Sequence, residues 1–548
     1  MTSASPSPKS PEVSEKSKKY DRQLRLWGDH GQNKLERSQI CLINANATGT
    51  EILKSLVLPG CGSFVIVDGH RVTQEDIGSN FFLDADSLNK SRAECALRLL
   101  SELNADVAGE AIADHPDSLL NTDPKFFNRF TVVIGCHLGE RVLTSLSKVL
   151  WEHGIPFLHV QTTGMIGWIR IQLNEHTIIE SHPDNPKSDL RLDVPFPELV
   201  SHMDSIQLVN REDSVKTPWL VLLFKALKAY ISQGAQNEKC GDTDSPPERY
   251  PFTSKQKAAF KSYLKEFSRS LGLDDSDDSF EEAVKAVNTA VMRTTVPDEV
   301  KSILDDPKTS KPESKFWILC AALKEFINDK NGQLPVRGAL PDMTADSEKY
   351  IKLQNVYRDK ASKDANEIFD KACQIMKQSG KQVSSITVEE VRLFCKESHN
   401  LRLLRGYPIH EELSSSPNSV LTELAQNMEE CDQELMFYII LRAHLRFHNE
   451  YGTYPGFDDS ETDISRFKTT MLKILNEWNT SVVAREDCIH EICRYGGAEI
   501  PSVAAFIGGA AAHEVIKLIT NQYVPLDNTF IYNAITSTTR SLKLAADL

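Results

Sequence analysis

Short hydrophobic runs alternate with amphipathic stretches over the first third of the chain. Buried strands are predicted at residues 40–43, 64–67, 131–134 and 156–160. Between them, apolar residues recur every three or four positions and predict helices at about 50–58, 88–103 and up to 152. Strands separated by helices of this length predict an α/β fold with a parallel, doubly wound sheet.

Long amphipathic helices dominate the middle of the chain, for example over residues 255–270, 316–326 and 435–447. The last sixty residues return to a mixed helix and strand pattern. We therefore expect a large helical insertion within one α/β domain. The predicted organisation is a disordered tail at 1–19, the first part of the α/β domain at 20–175, the insertion at 176–485, and the second part at 486–548.

The composition narrows the class of protein. Of 548 residues, 40% are hydrophobic and 25% charged, and the formal net charge is −15. This acidic balance argues against general binding to nucleic acid or to an anionic membrane. We find no apolar run long enough for a membrane span and no apolar signal core. The 11 cysteines form no C-x-x-C pair, which argues against a structural zinc site, and each is expected to be buried.

The turn after the first predicted strand indicates a modified nucleotide site. Phosphate-binding turns of this fold carry G-x-G-x-x-G because glycine lets the backbone approach the ligand. Here Asn44 and Asn46 replace the first two glycines, and only Gly49 remains. Asp68 and His137 follow two other strands, so we expect Asn44, Asp68 and His137 to gather at the carboxyl edge of the sheet.

Three segments resemble the enzymes that activate ubiquitin and its relatives: residues 20–28, the strand end at Asp68, and residues 503–509. Within that superfamily, residues 42–53 and 180–185 are most similar to the regulatory subunits of the heterodimeric neddylation-activating enzyme. The resemblance covers about residues 20–548. It implies a Rossmann-like adenylation fold whose insertion is a catalytic-cysteine-type half-domain that lacks the cysteine.

The resemblance also implies which parts of the chemistry are missing. Active relatives hold ATP on the glycine-rich loop, ribose on an Asp, phosphates on an Arg and a Lys, and magnesium on a second Asp. Asp68 matches the ribose Asp, and residues 79–82 lack the Arg. Arg92 stands at the Lys position, with Lys90 as a less direct match. Leu138 stands at the magnesium position and cannot ligate a hard cation. No cysteine is followed by threonine, the sequence context of the family's nucleophile.

We therefore expect this chain to bind neither cofactor nor metal. The vestigial cofactor-binding residues are Asn44, Asn46, Gly49, Asp68 and Arg92. One residue keeps a catalytic role by resemblance: Arg22 matches an Arg that crosses the dimer to ATP held by the other subunit. The alternative is a surface arginine paired with Asp21 or another nearby carboxylate.

Partner contacts are predicted in two places, the loop at residues 332–343 and the helical segment at 506–509. The loop at residues 332–343 carries two prolines and more apolar residues than a solvated loop needs. The predicted contact residues are Leu334, Pro335, Val336, Arg337, Leu340, Pro341, Phe506, Gly508 and Gly509. The alternatives are a loop that packs internally and, for Gly508 and Gly509, packing between helices.

The resemblance implies a non-catalytic regulatory subunit for activation of the NEDD ubiquitin-like modifier. Mg–ATP, zinc and the thioester cysteine would belong to a catalytic partner subunit, with a conjugating enzyme and cullin modification downstream, in the cytoplasm and nucleus. Two alternatives stay open. An active homodimeric enzyme that adenylates a modifier or sulfur carrier predicts pyrophosphate exchange by the chain alone. A NAD-dependent oxidoreductase on a degenerate Rossmann fold predicts NAD binding.

Overall fold

The computed structural model describes residues 18–208, 211–237, 250–273, 277–380, 385–414, 433–456, 460–479 and 485–544. The chain divides into two compact units. Unit 1 combines Met1–Ile178 with Leu403–Leu548, and unit 2 is Ile179–Arg402. The predicted disordered tail lies outside the described residues except at its end, where Lys19 donates a hydrogen bond to Asp106 (2.7 Å).

Strands and helices are numbered separately, in chain order. The strands are β1 (Gln39–Ile43), β2 (Ser63–Val67), β3 (Ala108–Ile112), β4 (Val132–Cys136), β5 (Phe157–Thr163), β6 (Ile166–Gln172), β7 (Glu175–Ile178), β8 (Arg402–Arg405), β9 (Thr529–Asn533) and β10 (Thr538–Leu542). The helices up to residue 310 are α1 (Asp21–Glu36), α2 (Ala47–Val57), α3 (Gln74–Ser79), α4 (Arg92–Ser101), α5 (Pro116–Thr122), α6 (Glu140–Glu152), α7 (Pro197–Ser205), α8 (Arg211–Val215), α9 (Trp219–Asn237), α10 (Ser254–Ser270), α11 (Asp278–Ala290), α12 (Asp298–Leu304) and α13 (Pro307–Ser310). The later helices are α14 (Lys315–Asp329), α15 (Ser347–Gln378), α16 (Val388–Glu397), α17 (Ile409–Glu412), α18 (Gln433–Tyr451), α19 (Ser460–Glu477), α20 (Glu486–Tyr495) and α21 (Pro501–Thr520).

A mixed sheet forms the centre of unit 1, in the strand order β10–β9–β6–β5–β4–β1–β2–β3. The five strands β3, β2, β1, β4 and β5 are parallel. β6, β9 and β10 extend the sheet by antiparallel pairing. The four predicted strands correspond to β1, β2, β4 and β5, so the doubly wound, Rossmann-like fold is confirmed.

Both faces of the sheet are covered by apolar cores. Along β1, Cys41 and Ile43 face a core shared with α6, α18 and α19, and Ile40 and Leu42 face a core shared with α2, α4 and α21. Successive strand residues point to opposite faces, so a strand covered on both sides is apolar throughout. That property made the central strands recognisable in the sequence.

The sequence did not predict β3, which lies at the edge of the sheet. Its residues Ala-Gly-Glu-Ala-Ile are exposed or half-buried throughout. An edge strand has only one neighbour and needs no continuous apolar run. The signal that identified the central strands is therefore missing from β3.

The helical insertion ends earlier than predicted. Unit 2 begins at Ile179, close to the predicted start, but ends at Arg402 rather than at residue 485. Helices α18 and α19, which the prediction assigned to the insertion, contribute Phe437, Leu441 and Phe467 to the core of unit 1. The periodicity of an amphipathic helix shows that one face is buried and does not show against which core.

Within the described residues, α21 is the one helix long and apolar enough to cross a membrane, although the sequence analysis found no apolar run of that length. However, 67% of its apolar window is buried inside the protein. A Cβ added at Gly508 would lie 2.7 Å from Cβ of Glu51 on α2, so α2 and α21 are in close contact. We interpret α21 as a core helix of unit 1.

Gly28 produces a kink within α1, where its φ of 65° and ψ of 176° interrupt the helix. We expect Gly28→Ala to lower the free energy of unfolding of unit 1 by about 1–2 kcal/mol, because a side chain strains this backbone conformation. Hydrogen exchange of the β1 amides would measure the change. The matched control is Gly78→Ala on α3, where an added Cβ meets no atom within 4 Å. Equal effects of the two substitutions would contradict the assignment of strain to Gly28.

Candidate functional site

The turn between β1 and α2 begins with Asn44, whose φ is 68°. Asn46 caps α2 by accepting a hydrogen bond from the backbone N–H of Gly49 (3.0 Å). Helix α2 begins at Ala47, earlier than the predicted residue 50, so Gly49 lies in its first turn. A Cβ at Gly49 would lie 2.5 Å from the carbonyl oxygen of Asn44, which explains why this position requires glycine.

The two asparagines that replace glycines bind other parts of the protein. Asn44 Nδ2 donates to the carbonyl of Cys136 (2.8 Å) and so joins the ends of β1 and β4. Its Oδ1 is buried and has no hydrogen-bond partner among the described residues. Asn46 Nδ2 donates to Glu499 Oε1 (3.1 Å). The turn is therefore altered, as predicted, and its polar groups are engaged largely within the chain.

A carboxylate of the same chain lies at the N-terminus of α2. Glu499 accepts hydrogen bonds from the backbone N–H of Ala47 (2.9 Å) and of Thr48 (3.0 Å). The hydroxyls of Thr48 (2.5 Å) and Thr162 (3.1 Å) also donate to it, and His137 Nε2 lies 3.4 Å away. In nucleotide-binding α/β domains, the N-terminus of this helix binds phosphate. Here Glu499 occupies that position.

We expect the contribution of Glu499 to stability to disappear on acidification. Burial opposes its charge, but His137 and hydrogen bonds from Thr48 more than offset burial and lower the pKa of Glu499 from 4.5 to about 2. Because the folded pKa lies below the unfolded value, the stabilisation is complete above pH 4.5 and is lost as the pH falls toward 2.

Urea unfolding of the wild type and of Glu499→Gln at about pH 7, 5 and 3.5 checks this expectation. The difference in stability between the two proteins should be equal at the two higher values and smaller at the lowest. A difference that stays constant across all three values, or grows with acidification, would contradict it.

Asp68 is fully buried and accepts hydrogen bonds from the backbone N–H of Ala45 (2.8 Å), that of His70 (2.9 Å), and Arg92 Nε (2.6 Å). Arg92 also donates to Asp76 (3.1 Å). Burial raises the pKa of Asp68, but hydrogen bonds from His70 and the charge of Arg92 outweigh it and hold that pKa well below its usual range. Asp68, the predicted ribose-binding acid, and Arg92, the predicted phosphate-binding cation, therefore neutralise each other.

His137 and Leu138 follow β4. His137 has a φ of 48° and lies beside Glu499. Leu138 is 3% exposed and packs in the apolar core that includes Phe157. The residue at the predicted magnesium position therefore offers no oxygen ligand. Across the described ranges, no three His, Cys, Asp or Glu side chains are grouped so that they could hold a metal ion.

A cavity of about 370 Å³ lies beside these groups. Asn44 and His137 line it, and Asp68 lies behind Arg92, so the predicted gathering at the carboxyl edge is observed. The charged side chains in its wall are Asp76, Arg92, Asp117 and Glu499. Four histidines, His70, His115, His137 and His448, also line it.

Arg22 lies on α1 and its side chain is exposed. The predicted alternative was an ion pair with Asp21, but Asp21 pairs with Arg25 (2.9 Å). No ion pair from Arg22 is found within the described part of the chain. An exposed cation of this kind is suited to contact a group outside the chain, so the role in trans stays a prediction.

The loop at residues 332–343 packs mainly within unit 2. Leu334 and Val336 are each 3% exposed. The buried guanidinium of Arg191 donates to the carbonyls of Leu334 (2.7 Å) and Pro335 (3.3 Å). Arg337 donates to the carbonyl of Lys396 (2.9 Å). These contacts support the internal-packing alternative and remove Leu334, Pro335 and Val336 as partner contacts.

Other predicted contact residues are more accessible. Leu340 and Pro341 are half-buried, and Phe506 on α21 is 45% exposed with its ring 4.2 Å from that of Tyr532. An added Cβ at Gly509 meets no atom within 4 Å, whereas Gly508 packs on α2. Gly508 therefore serves packing between helices, and a partner contact stays a prediction for the accessible positions.

The described cysteines are Cys41, Cys61, Cys95, Cys136, Cys320, Cys373, Cys395, Cys488 and Cys493, and all except Cys373 are buried. Burial raises the pKa of Cys61 to about 12 and also raises that of Cys320. A buried, protonated thiol is a poor nucleophile. The expected burial of single cysteines is thus confirmed for these eight; Cys240 and Cys431 lie outside the described residues.

Sequence reasoning missed Glu499. Its partners Ala47 and Thr48 are about 450 positions earlier in the chain, and no local sequence pattern predicts such a contact. One usable signal was present: the tail was predicted to rejoin the first domain, and Glu499 precedes the Pro501 that begins α21.

Comparison with known proteins gives a consistent result. The ThiF family matches residues 20–547. The NEDD8-activating enzyme E1 regulatory subunit of Danio rerio is 44% identical, over 96% of this chain and 99% of that protein. Its counterpart in Drosophila melanogaster is also 44% identical, over 99% and 100%. The chain belongs to the ThiF family, among the NEDD8-activating enzyme E1 regulatory subunits.

The relationship extends to plants. The regulatory subunit AXR1 of Arabidopsis thaliana is 38% identical, over 97% of each chain. Because the matches span nearly the whole of both proteins, the ThiF-family assignment includes the helical insertion as well as the α/β domain. The resemblance inferred from residues 20–28, Asp68 and the tail is confirmed.

Proposed function

We propose that this chain is the non-catalytic, regulatory half of a heterodimeric enzyme that activates NEDD8. In this proposal a catalytic partner subunit binds Mg–ATP and zinc, adenylates the modifier and captures it as a thioester. This chain completes the adenylation fold and takes part in binding the modifier. A conjugating enzyme acts next and cullins are modified, in the cytoplasm and nucleus.

The internal neutralisation of Asp68 and Arg92 supports the proposal most directly. A working site would leave the acid free for ribose and the cation free for phosphate. Here Arg92 Nε lies 2.6 Å from Asp68 and its Nη1 lies 3.1 Å from Asp76. Nucleotidyl transfer depends on cationic and metal electrostatics, with about 10²–10³ in rate lost per preorganised group. Leu138, at the metal position, offers no ligand.

Arg22 supplies the positive part of the proposal. It lies on α1, which Gln23 fastens to unit 1 by donating to the carbonyl of Pro59 (2.7 Å). The side chain of Arg22 is exposed to solvent. It can therefore contact ATP held by a partner without any rearrangement of unit 1. A guanidinium suits this role because it is planar, permanently charged and able to bind phosphate oxygens in pairs.

The test is to purify the chain alone and with candidate catalytic subunits, and to assay ATP–pyrophosphate exchange with NEDD8 and with other modifiers. The proposal expects no exchange by the chain alone, and exchange by one heterodimer with NEDD8. Exchange by the isolated chain would instead support an active homodimeric enzyme. NAD binding by the isolated chain would support the oxidoreductase alternative.

A further inference from the structure

Three backbone donors at the N-terminus of α2 are satisfied by the chain itself. The first four N–H groups of a helix, counted from the N-cap, have no partner within the helix, and those at this position commonly bind a phosphate in this fold. Here the N–H groups of Ala47 and Thr48 donate to Glu499, and that of Gly49 donates to Asn46. The next, Thr50 N–H, donates to the Asn46 carbonyl (3.0 Å). The N–H groups of Ala47, Thr48 and Gly49, the first three residues of α2, are therefore not free to bind a ligand.

Glu499 is more than a local helix cap. Asn46, the residue adjacent to the helix, already serves as the N-cap. Glu499 comes from the segment before α21 and also binds Thr162 at the end of β5 (3.1 Å). The backbone around it is fixed as well, because Glu499 forms a β-bridge with Gly164. One carboxylate therefore connects α2, β5 and the approach to α21.

We propose that Glu499 replaces a nucleotide phosphate. Its carboxylate occupies the phosphate-binding site at the N-terminus of α2 and excludes phosphate-bearing ligands from that site. An anion at this helix terminus satisfies the N–H donors and the helix dipole. With the anion supplied internally, the contact between α2 and α21 needs no bound nucleotide. This proposal deepens the proposed function, since it names the group that closes the site.

The test uses the full chain with Glu499 replaced. Glu499→Ala should lower Tm by roughly 5 °C, because two backbone N–H groups, the side-chain amide of Asn46 and two hydroxyls lose a charged acceptor. Inorganic phosphate should then raise the Tm of this variant saturably, relative to chloride at equal ionic strength. The wild type should show no saturable response to phosphate, only the gradual rise that an excluded anion gives any protein.

The matched control is Glu486→Ala. The side chain of Glu486 is 75% exposed and pairs with Lys468 at the surface, so its loss should change Tm by less than about 1 °C. This control should likewise show no saturable response to phosphate. A lack of phosphate response in Glu499→Ala, or an equal response in the wild type, would overturn the proposal.

A second measurement uses the wild type, so it gives a result even if the Glu499→Ala variant fails to fold. Phosphate and AMP should leave the amide NMR signals of Ala47 and Thr48 in the wild-type chain unshifted. A saturable shift of those signals would show that the phosphate-binding site is accessible in the wild type, and it would overturn the inference. The proposed function fails by a different readout, pyrophosphate exchange by the isolated chain, so the two failures are distinguishable.

Discussion

Replacing Arg22 with alanine should lower ATP–pyrophosphate exchange by the heterodimer about 10²–10³-fold without dissociating it. The reason is that a preorganised cation aimed at the transferring phosphates stabilises charge in the transition state. Arg22 is exposed, so its loss leaves the core of unit 1 intact. Exchange rates and size-exclusion profiles of the purified complex measure the two parts of the prediction.

The neighbouring arginine provides the matched control. Arg25 lies on the same helix, is 77% exposed and pairs with Asp21. Arg25→Ala should leave exchange within about twofold of the wild type, because surface ion pairs contribute little. Arg22→Lys should recover part of the activity, since it keeps the charge but not the planar fork. Normal exchange by Arg22→Ala would remove Arg22 from the proposed role.

Replacing Glu412 with alanine should destabilise unit 1 by about 3–5 kcal/mol, the usual cost of removing one partner from a buried ion pair. Glu412 is 1% exposed and accepts from Arg170 Nε (2.7 Å) and from the Tyr438 hydroxyl (2.6 Å). Arg442 Nη1 lies 3.5 Å from the same carboxylate. Without Glu412, these two buried guanidinium groups would both lose their opposing carboxylate.

Hydrogen exchange of the β6 amides measures this loss, because Arg170 lies on that strand. Glu411→Ala is the control, since Glu411 is adjacent and exposed, and it should change stability by less than about 0.5 kcal/mol. Glu412→Gln should fall between them, as it keeps the shape and loses the charge. Equal stability of Glu411→Ala and Glu412→Ala would contradict the account of this buried network.

The sequence predicted those parts of the fold that have a local signal. β1, β2, β4 and β5 are buried on both faces and therefore read as apolar runs, whereas the edge strand β3 does not. The start of the insertion was predicted closely because the pattern changes there. Its end was not, because α18 and α19 have the periodicity of any amphipathic helix and give no indication of which core they join.

The candidate site divides in the same way. The altered turn was identified from its own residues, and Asp68, Arg92 and Leu138 were assigned from the resemblance to the activating enzymes. What they contact could not be read from the sequence. The pairing of Arg92 with Asp68 spans 24 positions, and that of Glu499 with Ala47 spans 452. Such contacts follow from tertiary structure alone. They show that residues expected to bind nucleotide instead bind other groups of the same chain.

The stoichiometry of bound Mg–ATP tests the central claim most directly. Equilibrium dialysis of labelled ATP should find none on the isolated chain and one molecule per heterodimer with its catalytic subunit. One ATP on the isolated chain, or two per heterodimer, would show that this chain binds nucleotide after all and would contradict the account.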